Sequence, residues 1–320
     1  MTDRAKAFKR KMRRPLEWFG IWLAQVIIPR LPLRCILCLA NFISALGYVF
    51  DRRGKKIAQA NLRLMFGKRM TAARESVIIR RSYRTMIRTL LNLFWLLRHT
   101  RERILEQVEF APRALDRIRE LQPAVMLSAH LGNWELVAQG GVANGIPIMC
   151  VAKQIGTPAM TALLTRQRAS IGQEIIPMEG AVRPLIRTLK AGKSVGLLVD
   201  QNMDISEGGT WCTFFGLPVC VSMTPATLAR KLGIPIIFVW ARPLKHARYR
   251  IECSDVFMPD PSVPDPVRTQ KLSEAIERVI RRNPSYWCLN YRRWHLIRPG
   301  EDPARYPFYA HPAACAKPPA

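Results

Sequence analysis

The chain has 320 residues, of which 49% are hydrophobic, so it can bury the core of a large domain and does not have the composition of a disordered protein. Its net charge of +27 is extreme for a soluble enzyme and points to an anionic partner: nucleic acid, an anionic membrane surface or an acidic protein. The eight cysteines do not have the spacing of a disulfide framework. Cys35 and Cys38 lie in an apolar stretch with no second pair at zinc-finger spacing, so we predict reduced thiols and no metal site.

The basic charge is concentrated in residues 1–120, which contain 27 Lys and Arg against nine Asp and Glu and so carry +18 of the +27. The same segment contains the longest apolar runs, Trp18–Ile28 and Cys35–Phe50. Basic clusters beside apolar helices are typical of a membrane-surface anchor, whereas a nucleic-acid arm is usually basic without such apolar neighbours. We therefore predict an anionic membrane surface as a partner, and no binding of nucleic acid.

The form of this anchor depends on the length of the two runs. Each is shorter than the ~20 residues needed to cross a bilayer, and the PRLPLR sequence between them would be costly in mid-membrane. The basic head is not followed promptly by a small-residue cleavage site, as it would be in a signal peptide. Basic residues on both sides favour two cytoplasmic ends. A shallow hairpin or interfacial helices are favoured; a single tilted span and two buried helices of a soluble bundle are the alternatives.

The hydrophobic pattern of the sequence changes along the chain. Residues 55–104 have apolar positions three and four apart, which predicts helices. Further on, short apolar runs alternate with helical segments of 10–15 residues, and this alternation predicts an α/β sandwich. The tail from Pro299 is rich in proline and alanine and is predicted to pack loosely or not at all. The predicted segments are an anchor at 1–50, a helical lead-in at 51–120, an α/β domain at 121–298 and a tail at 299–320.

The sequence SAHLGNWELVAQGG, residues 128–141, places His130 at the end of a predicted strand and Glu135 in the first turn of the next helix. Such strand ends are a favoured place for chemistry in open α/β folds, and Gly132 lets the backbone turn tightly. A carboxylate that reaches one imidazole nitrogen would leave the other free to take a proton from a hydroxyl. Alternatively, His130 is a core histidine and Glu135 a partner of the helix dipole. Position and spacing leave both interpretations open.

The sequence HLGNWE resembles the H-x4-(D/E) motif of the glycerolipid acyltransferase superfamily. Further sequences narrow the resemblance to the lipid A biosynthesis lauroyl/myristoyl acyltransferases: AQANLRLMFG, GLLVDQN, FFGLPVCVSMTPATLARKLGIPIIFVWARP and NPSYWCLNYRRWHLIRP. The resemblance covers roughly residues 15–300 in unbroken order. It implies a glycerolipid-acyltransferase-like α/β sandwich with an N-terminal membrane-associated helical segment, located at the cytoplasmic face of the cell inner membrane.

The resemblance also implies a reaction. A fatty acyl group would pass from acyl carrier protein, or from a coenzyme A thioester, to a hydroxyl of a phosphorylated glycolipid acceptor, a lipid A precursor. His130 would be the general base and Glu135 its partner, with no cofactor. The implied substrate-binding residues are Arg166, Arg168, Asp200, Asn202, Gly209, Phe215 and Arg292.

Each of these substrate-binding assignments has a plainer alternative. Arg166 and Arg168 would stabilise charge on the thioester oxygen, or end a solvated helix. Asp200 and Asn202 would contact the acceptor or brace the site, although Asp200 can instead cap a turn. Gly208 and Gly209 would shape a loop at the mouth of the site. Phe214 and Phe215 would line the acyl groove or pack in the core. Of Arg292 and Arg293, one would bind phosphate or carboxylate while the other faces solvent.

Two departures from the family pattern leave the acceptor open. Gly132 and Asn133 stand where the branch has bulkier residues, and the tail from Pro299 has no counterpart in it. The sister branch that acylates mannosylated phosphatidylinositol is therefore an alternative. A non-catalytic membrane-associated lipid-binding protein is another, but such a protein would not need the His130–Glu135 geometry.

Overall fold

The computed structural model describes residues 19–152 and 158–313 of the chain. Its helices are α1 (Phe19–Arg30), α2 (Leu33–Phe50), α3 (Arg52–Phe66), α4 (Ala72–Trp95), α5 (Thr100–Gln107), α6 (Ala114–Glu120), α7 (Trp134–Ala143), α8 (Pro158–Ala169), α9 (Val182–Lys190), α10 (Thr224–Leu232) and α11 (Asp265–Arg282). Its strands are β1 (Val108–Phe110), β2 (Val125–Ser128), β3 (Ile148–Ala152), β4 (Glu174–Pro177), β5 (Ser194–Leu198), β6 (Gly209–Phe214), β7 (Leu217–Ser222), β8 (Ile236–Pro243), β9 (Tyr249–Phe257), β10 (Leu296–Ile297) and β11 (His311–Pro312).

Seven strands form one sheet in the order β1-β9-β8-β2-β5-β3-β4. Neighbouring strands are parallel except for the antiparallel pair β8 and β9. All four residues of β2 are buried, as expected for a strand with helices on both faces. Leu127 packs into the core on one face of the sheet and Met126 into the core on the other. The predicted α/β sandwich is therefore confirmed.

The N-terminal helices leave much of their apolar surface exposed. Helix α2 packs against α4, yet its Phe42 and Phe50 are 63% and 75% exposed. With 18 residues it is apolar and long enough to cross a membrane by length and composition, unlike the shorter run that the sequence predicts, and only 17% of it is buried. On α1, Phe19 and Trp22 are also more than half exposed. Helix α2 is therefore not a buried helix of a soluble bundle. The basic head, residues 1–14, lies outside the described residues.

The start of the tail packs against the domain, so the prediction of loose packing is wrong for residues 299–313. Tyr306 and Tyr309 are each only 8% exposed, and the Tyr309 hydroxyl donates a hydrogen bond to the Asn61 side-chain oxygen. Strand β11 pairs in parallel with β10. Aromatic rings inside the Pro- and Ala-rich sequence supply the buried surface that its composition alone does not suggest. Residues 314–320 lie outside the described part of the chain.

Candidate active site

His130 lies in a tight turn between β2 and α7, as the sequence predicts. The turn depends on Gly132, whose φ is +63° and whose position leaves no room for a side chain. A Cβ atom there would lie 1.9 Å from the carbonyl oxygen of Ala241. Asn133 caps α7 by accepting a 3.4 Å hydrogen bond from the Leu136 N–H. The backbone of the turn is thus held in one conformation, which fixes the position of the imidazole.

The imidazole of His130 is hydrogen bonded to Asp200. Nδ1 lies 2.8 Å from Oδ1 of that carboxylate. The second carboxylate oxygen, Oδ2, accepts from the His130 backbone N–H at 3.0 Å and from the Trp287 indole N–H at 2.8 Å. Asp200 follows β5, the neighbour of β2, so the sheet brings both residues to the same edge. Three hydrogen bonds therefore orient one carboxylate against one ring nitrogen.

Glu135 lies in the first turn of α7, as predicted, but its carboxylate does not orient the imidazole. It forms a two-pronged ion pair with Arg168, with distances of 2.9 Å to Nη2 and 3.2 Å to Nε. Both side chains are nearly buried, 14% and 6% exposed. Glu135 therefore connects α7 to α8 through Arg168. It does not bond to the imidazole, which is the role that the family resemblance implies for it. The bracing role considered for Asp200 is the one that matches its contacts.

The charges around His130 favour its protonation. Burial alone would lower its pKa, but the charge of Asp200, the hydrogen bond to it and, to a smaller extent, the charge of Glu135 raise the pKa above its ordinary value. Burial would raise the pKa of the Asp200 carboxyl, yet His130, Trp287 and Arg293 together lower it. Asp200 is therefore ionised at neutral pH, and His130 is a stronger base than a free imidazole.

The other imidazole nitrogen, Nε2, has the side chain of Gln201 as its neighbour. A carboxylate only accepts hydrogen bonds, so the proton of neutral His130 is on Nδ1 and the lone pair is on Nε2. Nε2 lies 3.4 Å from the side-chain nitrogen of Gln201, and the histidine side chain is 20% exposed. The ring of Trp134 lies beside it, with centroids 5.1 Å apart. A hydroxyl that approaches Nε2 could transfer its proton there.

The two arginines predicted to bind substrate, Arg166 and Arg168, are not both free to donate hydrogen bonds to it. Arg166 is exposed on α8, whereas Arg168 is buried and uses Nε and Nη2 for Glu135. The ion pair was not visible in the sequence because it joins residues 33 positions apart on different helices. Its geometry indicates that Arg168 holds Glu135 in place.

Asn202 joins the loop after β5 to the C-terminal block of the domain. Its backbone N–H donates to the Tyr291 hydroxyl at 3.3 Å, and its side-chain oxygen accepts from Arg293 Nη1. Its amide nitrogen lies against His295 Nδ1. Arg293 is only 2% exposed and stacks over Phe214, so the expectation that one of the two neighbouring arginines faces solvent does not apply to it. Arg292 is half-buried.

The two phenylalanines pack in the core. Phe214 and Phe215 are 1% and 6% exposed and pack with Trp287 and Trp294 in one aromatic cluster. Gly209 begins β6, where a Cβ would lie 2.6 Å from Cys220 Sγ. That position therefore leaves no room for a side chain next to Cys220. Core packing is the alternative that matches the contacts of Phe215, and substrate contact by Phe215 and Gly209 stays a prediction.

Possible metal ligands do not cluster in the residues that the structure describes. No group of three or more His, Cys, Asp or Glu side chains among them could hold a metal ion. Cys35 and Cys38 are exposed free thiols on α2. The chemistry that the described residues present is that of the His130–Asp200 pair.

Comparisons with known proteins identify a matching family and several relatives. The model of the family described as bacterial lipid A biosynthesis acyltransferase matches residues 5–296. The phosphatidylinositol mannoside acyltransferase of Mycolicibacterium smegmatis is 28% identical over 114 residues, which are 34% of this chain. Its counterpart in Mycobacterium tuberculosis is 27% identical over 118 residues, or 36% of this chain. The chain spans 37% of the length of each of these relatives. The family match covers most of the chain, and the chain therefore belongs to the bacterial lipid A biosynthesis acyltransferase family.

Proposed function

We propose that the protein transfers a fatty acyl chain from a thioester donor to a hydroxyl of a membrane glycolipid, with His130 as general base. The observation that carries this proposal is the His130–Asp200 pair, in which the histidine side chain is 20% exposed. The acceptor hydroxyl gives its proton to Nε2 while its oxygen attacks the thioester carbonyl carbon. The carbon–sulfur bond then breaks, and the imidazolium returns the proton to the departing thiolate. Asp200 stabilises the imidazolium that exists between the two transfers.

The proposed acceptor is a lipid A precursor, and the proposed donor is acyl carrier protein. Membership of the lipid A family supports this acceptor. The net charge of +27 suits two acidic substrates, a phosphorylated glycolipid and an acidic carrier. Acylation of a phosphatidylinositol mannoside is the second candidate, since the curated relatives carry that name. Acyl-coenzyme A is the second candidate for the donor.

The proposed location is the cytoplasmic face of the inner membrane, reached through the exposed apolar faces of α1 and α2. Changing both Phe42 and Phe50 to Glu is expected to weaken binding to phosphatidylethanolamine–phosphatidylglycerol vesicles by at least about tenfold. Burying one Phe contributes about 1.5–3 kcal/mol, and 1.4 kcal/mol is a factor of ten. Vesicle co-sedimentation measures the effect. Val267→Glu, an exposed apolar position on α11, is the matched control. Equal binding by the double variant and the wild type would contradict the anchor.

The function is tested by incubating the purified protein with each acceptor and with two donors of equal chain length, acyl carrier protein thioester and acyl-coenzyme A. Mass spectrometry of the lipids is expected to show one acyl addition to the lipid A precursor and little to the mannosylated phosphatidylinositol. Preferential acylation of the mannoside would support the second candidate instead. Absence of acylation on both would contradict an active glycolipid acyltransferase.

The same assay, repeated over a salt series, tests the donor. Long-range attraction between an acidic carrier and a basic surface acts mainly on the association rate. Because the Debye length falls from about 10 Å at 0.1 M to about 3 Å at 1 M salt, activity with the carrier is expected to decline steeply. Activity with acyl-coenzyme A, which carries fewer charges, is expected to decline less. Equal salt sensitivity would assign the basic surface to the membrane or the acceptor.

A further inference from the structure

A cavity of about 500 Å³ lies beside the proposed catalytic site, between the start of α3, the block that follows α11, and β11 of the tail. Its charged and polar lining includes Asp51, Arg53, Tyr291, Arg292, His295 and His311. We refer to it as the basic cavity. The site described above does not include this cavity, but Asn202 connects the two. Asn202 is bonded to Tyr291 and His295 of the cavity and follows Gln201, whose side chain lies 3.4 Å from His130 Nε2.

The basic cavity is lined by two arginines against one carboxylate. Among the residues that the structure describes, the guanidinium groups of Arg53 and Arg292 have neither an ion pair nor a hydrogen bond to another side chain. The carboxylate of Asp51 also lines the cavity, but its oxygens accept hydrogen bonds from the Gly54 N–H and the Tyr83 hydroxyl, both at 2.8 Å. An anion entering the cavity would therefore find two arginines available as donors.

Two histidines also line the cavity. The rings of His295 and His311 lie with centroids 5.6 Å apart. His311 Nδ1 is 3.2 Å from the Pro312 carbonyl, which can only accept, so that nitrogen carries a proton. Burial, the charge of His311 and that of Arg293 lower the pKa of His295. A bound anion would counteract the repulsion that lowers the pKa of His295.

The location of the basic cavity suggests what kind of anion it accepts. Helix α2 ends at Phe50, which is 75% exposed, and Asp51 and Arg53 follow directly. The cavity thus opens where the apolar surface of α2 gives way to polar residues. An amphiphile whose chains lie with α2 in the bilayer would bring its headgroup to this point. A soluble donor would not require an exposed apolar helix beside its binding site.

We propose that the basic cavity binds a phosphate group on the headgroup of the acceptor lipid, and that it thereby holds the acceptor hydroxyl at His130. This inference rests on the proposed glycolipid acyl transfer. Arginines recognise phosphate through two parallel hydrogen bonds. His311 belongs to the tail, beyond the residues 5–296 that match the family, so the tail supplies part of the site in this chain.

Binding is measured first without any turnover, by isothermal titration calorimetry of the full chain with inorganic phosphate. Arg53→Gln, Arg292→Gln and His311→Gln are each expected to weaken phosphate binding by about tenfold, the loss of one charge-assisted hydrogen bond. The matched control is Arg74→Gln, because Arg74 is an exposed arginine in the first turn of α4 and does not line the cavity. Phosphate binding that is equal in the wild type and all three cavity variants would overturn the proposal.

Kinetics then distinguish the source of the phosphate. The cavity variants are expected to raise KM for a phosphorylated acceptor about tenfold with little change in kcat, and to leave KM for the donor unchanged. With the same acceptor after enzymatic removal of its phosphate, wild type and variants should have similar KM values. A rise in KM for the donor alone would overturn the proposal, because the phosphate would then be the donor's. If no glycolipid is acylated while the variants still lose phosphate binding, the proposed function fails and the anion site stands.

Discussion

His130→Ala is expected to lower the turnover number for acyl transfer by ~10²–10⁴-fold, the usual contribution of a general base. The fold should survive the change, because two backbone hydrogen bonds of this residue remain. Its N–H donates to Asp200, and its carbonyl accepts from the Cys288 N–H at 3.1 Å. Alanine retains both backbone bonds but removes the ring and its hydrogen bond to the buried Asp200 carboxylate, so the free energy of unfolding should fall while the fold persists. The loss should therefore appear in kcat under saturating substrates.

The matched control is His246→Asn, which removes an exposed histidine outside the site. His246 has a φ of +54°, and asparagine tolerates this left-handed backbone better than most residues. Circular dichroism and thermal unfolding establish that both variants fold. Turnover close to that of wild type in folded His130→Ala protein would contradict the assignment of the base.

Asp200→Asn is expected to reduce turnover by a similar ~10²–10⁴-fold, although the side chain keeps its size. The oxygen of the new amide would still accept from the His130 backbone N–H and the Trp287 indole. The amide nitrogen would then face Nδ1 and donate to it. This would move the proton of neutral His130 to Nε2, where the lone pair is needed for catalysis. The variant would thus hold the ring in the inactive tautomer.

Glu135→Gln is the matched comparison, since it also replaces one carboxylate with an amide near His130. It would leave Arg168 buried with a weakened partner, so its free energy of unfolding should fall by about 3 kcal/mol. Its turnover in the folded state should fall much less than that of Asp200→Asn. Chemical denaturation and steady-state kinetics on the two proteins separate these effects. A greater loss of turnover in Glu135→Gln would contradict the assignment of Asp200 as the orienting residue.

The position of His130 could be predicted because the signal is local. An apolar strand, a glycine that allows a tight turn, and the Asn133 cap all lie within a few residues of one another. The partner of His130 could not be predicted in the same way. Asp200 is 70 positions away, and its contact requires that β5 lies next to β2 in the sheet. Hydrophobic patterns predict strands but not which strands become neighbours. The sequence therefore favours the nearer carboxylate, that of Glu135, as the partner of His130.

The other corrections have the same cause. Phe214 and Phe215 are adjacent aromatics that suit a groove or a core, and their burial depends on Trp287 and Trp294, which arrive from some 70 positions further along the chain. The packing of the tail likewise depends on a distant contact, between Tyr309 and Asn61. Local composition contains no information on such pairs, since they form only when the whole domain is assembled.

The central claim is that Asp200 orients His130 and raises its pKa. The pH dependence of kcat/KM tests it most directly. The base must be neutral, so the acidic limb of the profile reports the pKa of His130 in the free enzyme. Asp200 raises this pKa, and its removal should move the limb to lower pH in Asp200→Asn, together with a lower plateau. Glu135 contributes less to the same pKa, so Glu135→Gln should move the limb only slightly. A limb that moves in Glu135→Gln and stays in place in Asp200→Asn would contradict the account.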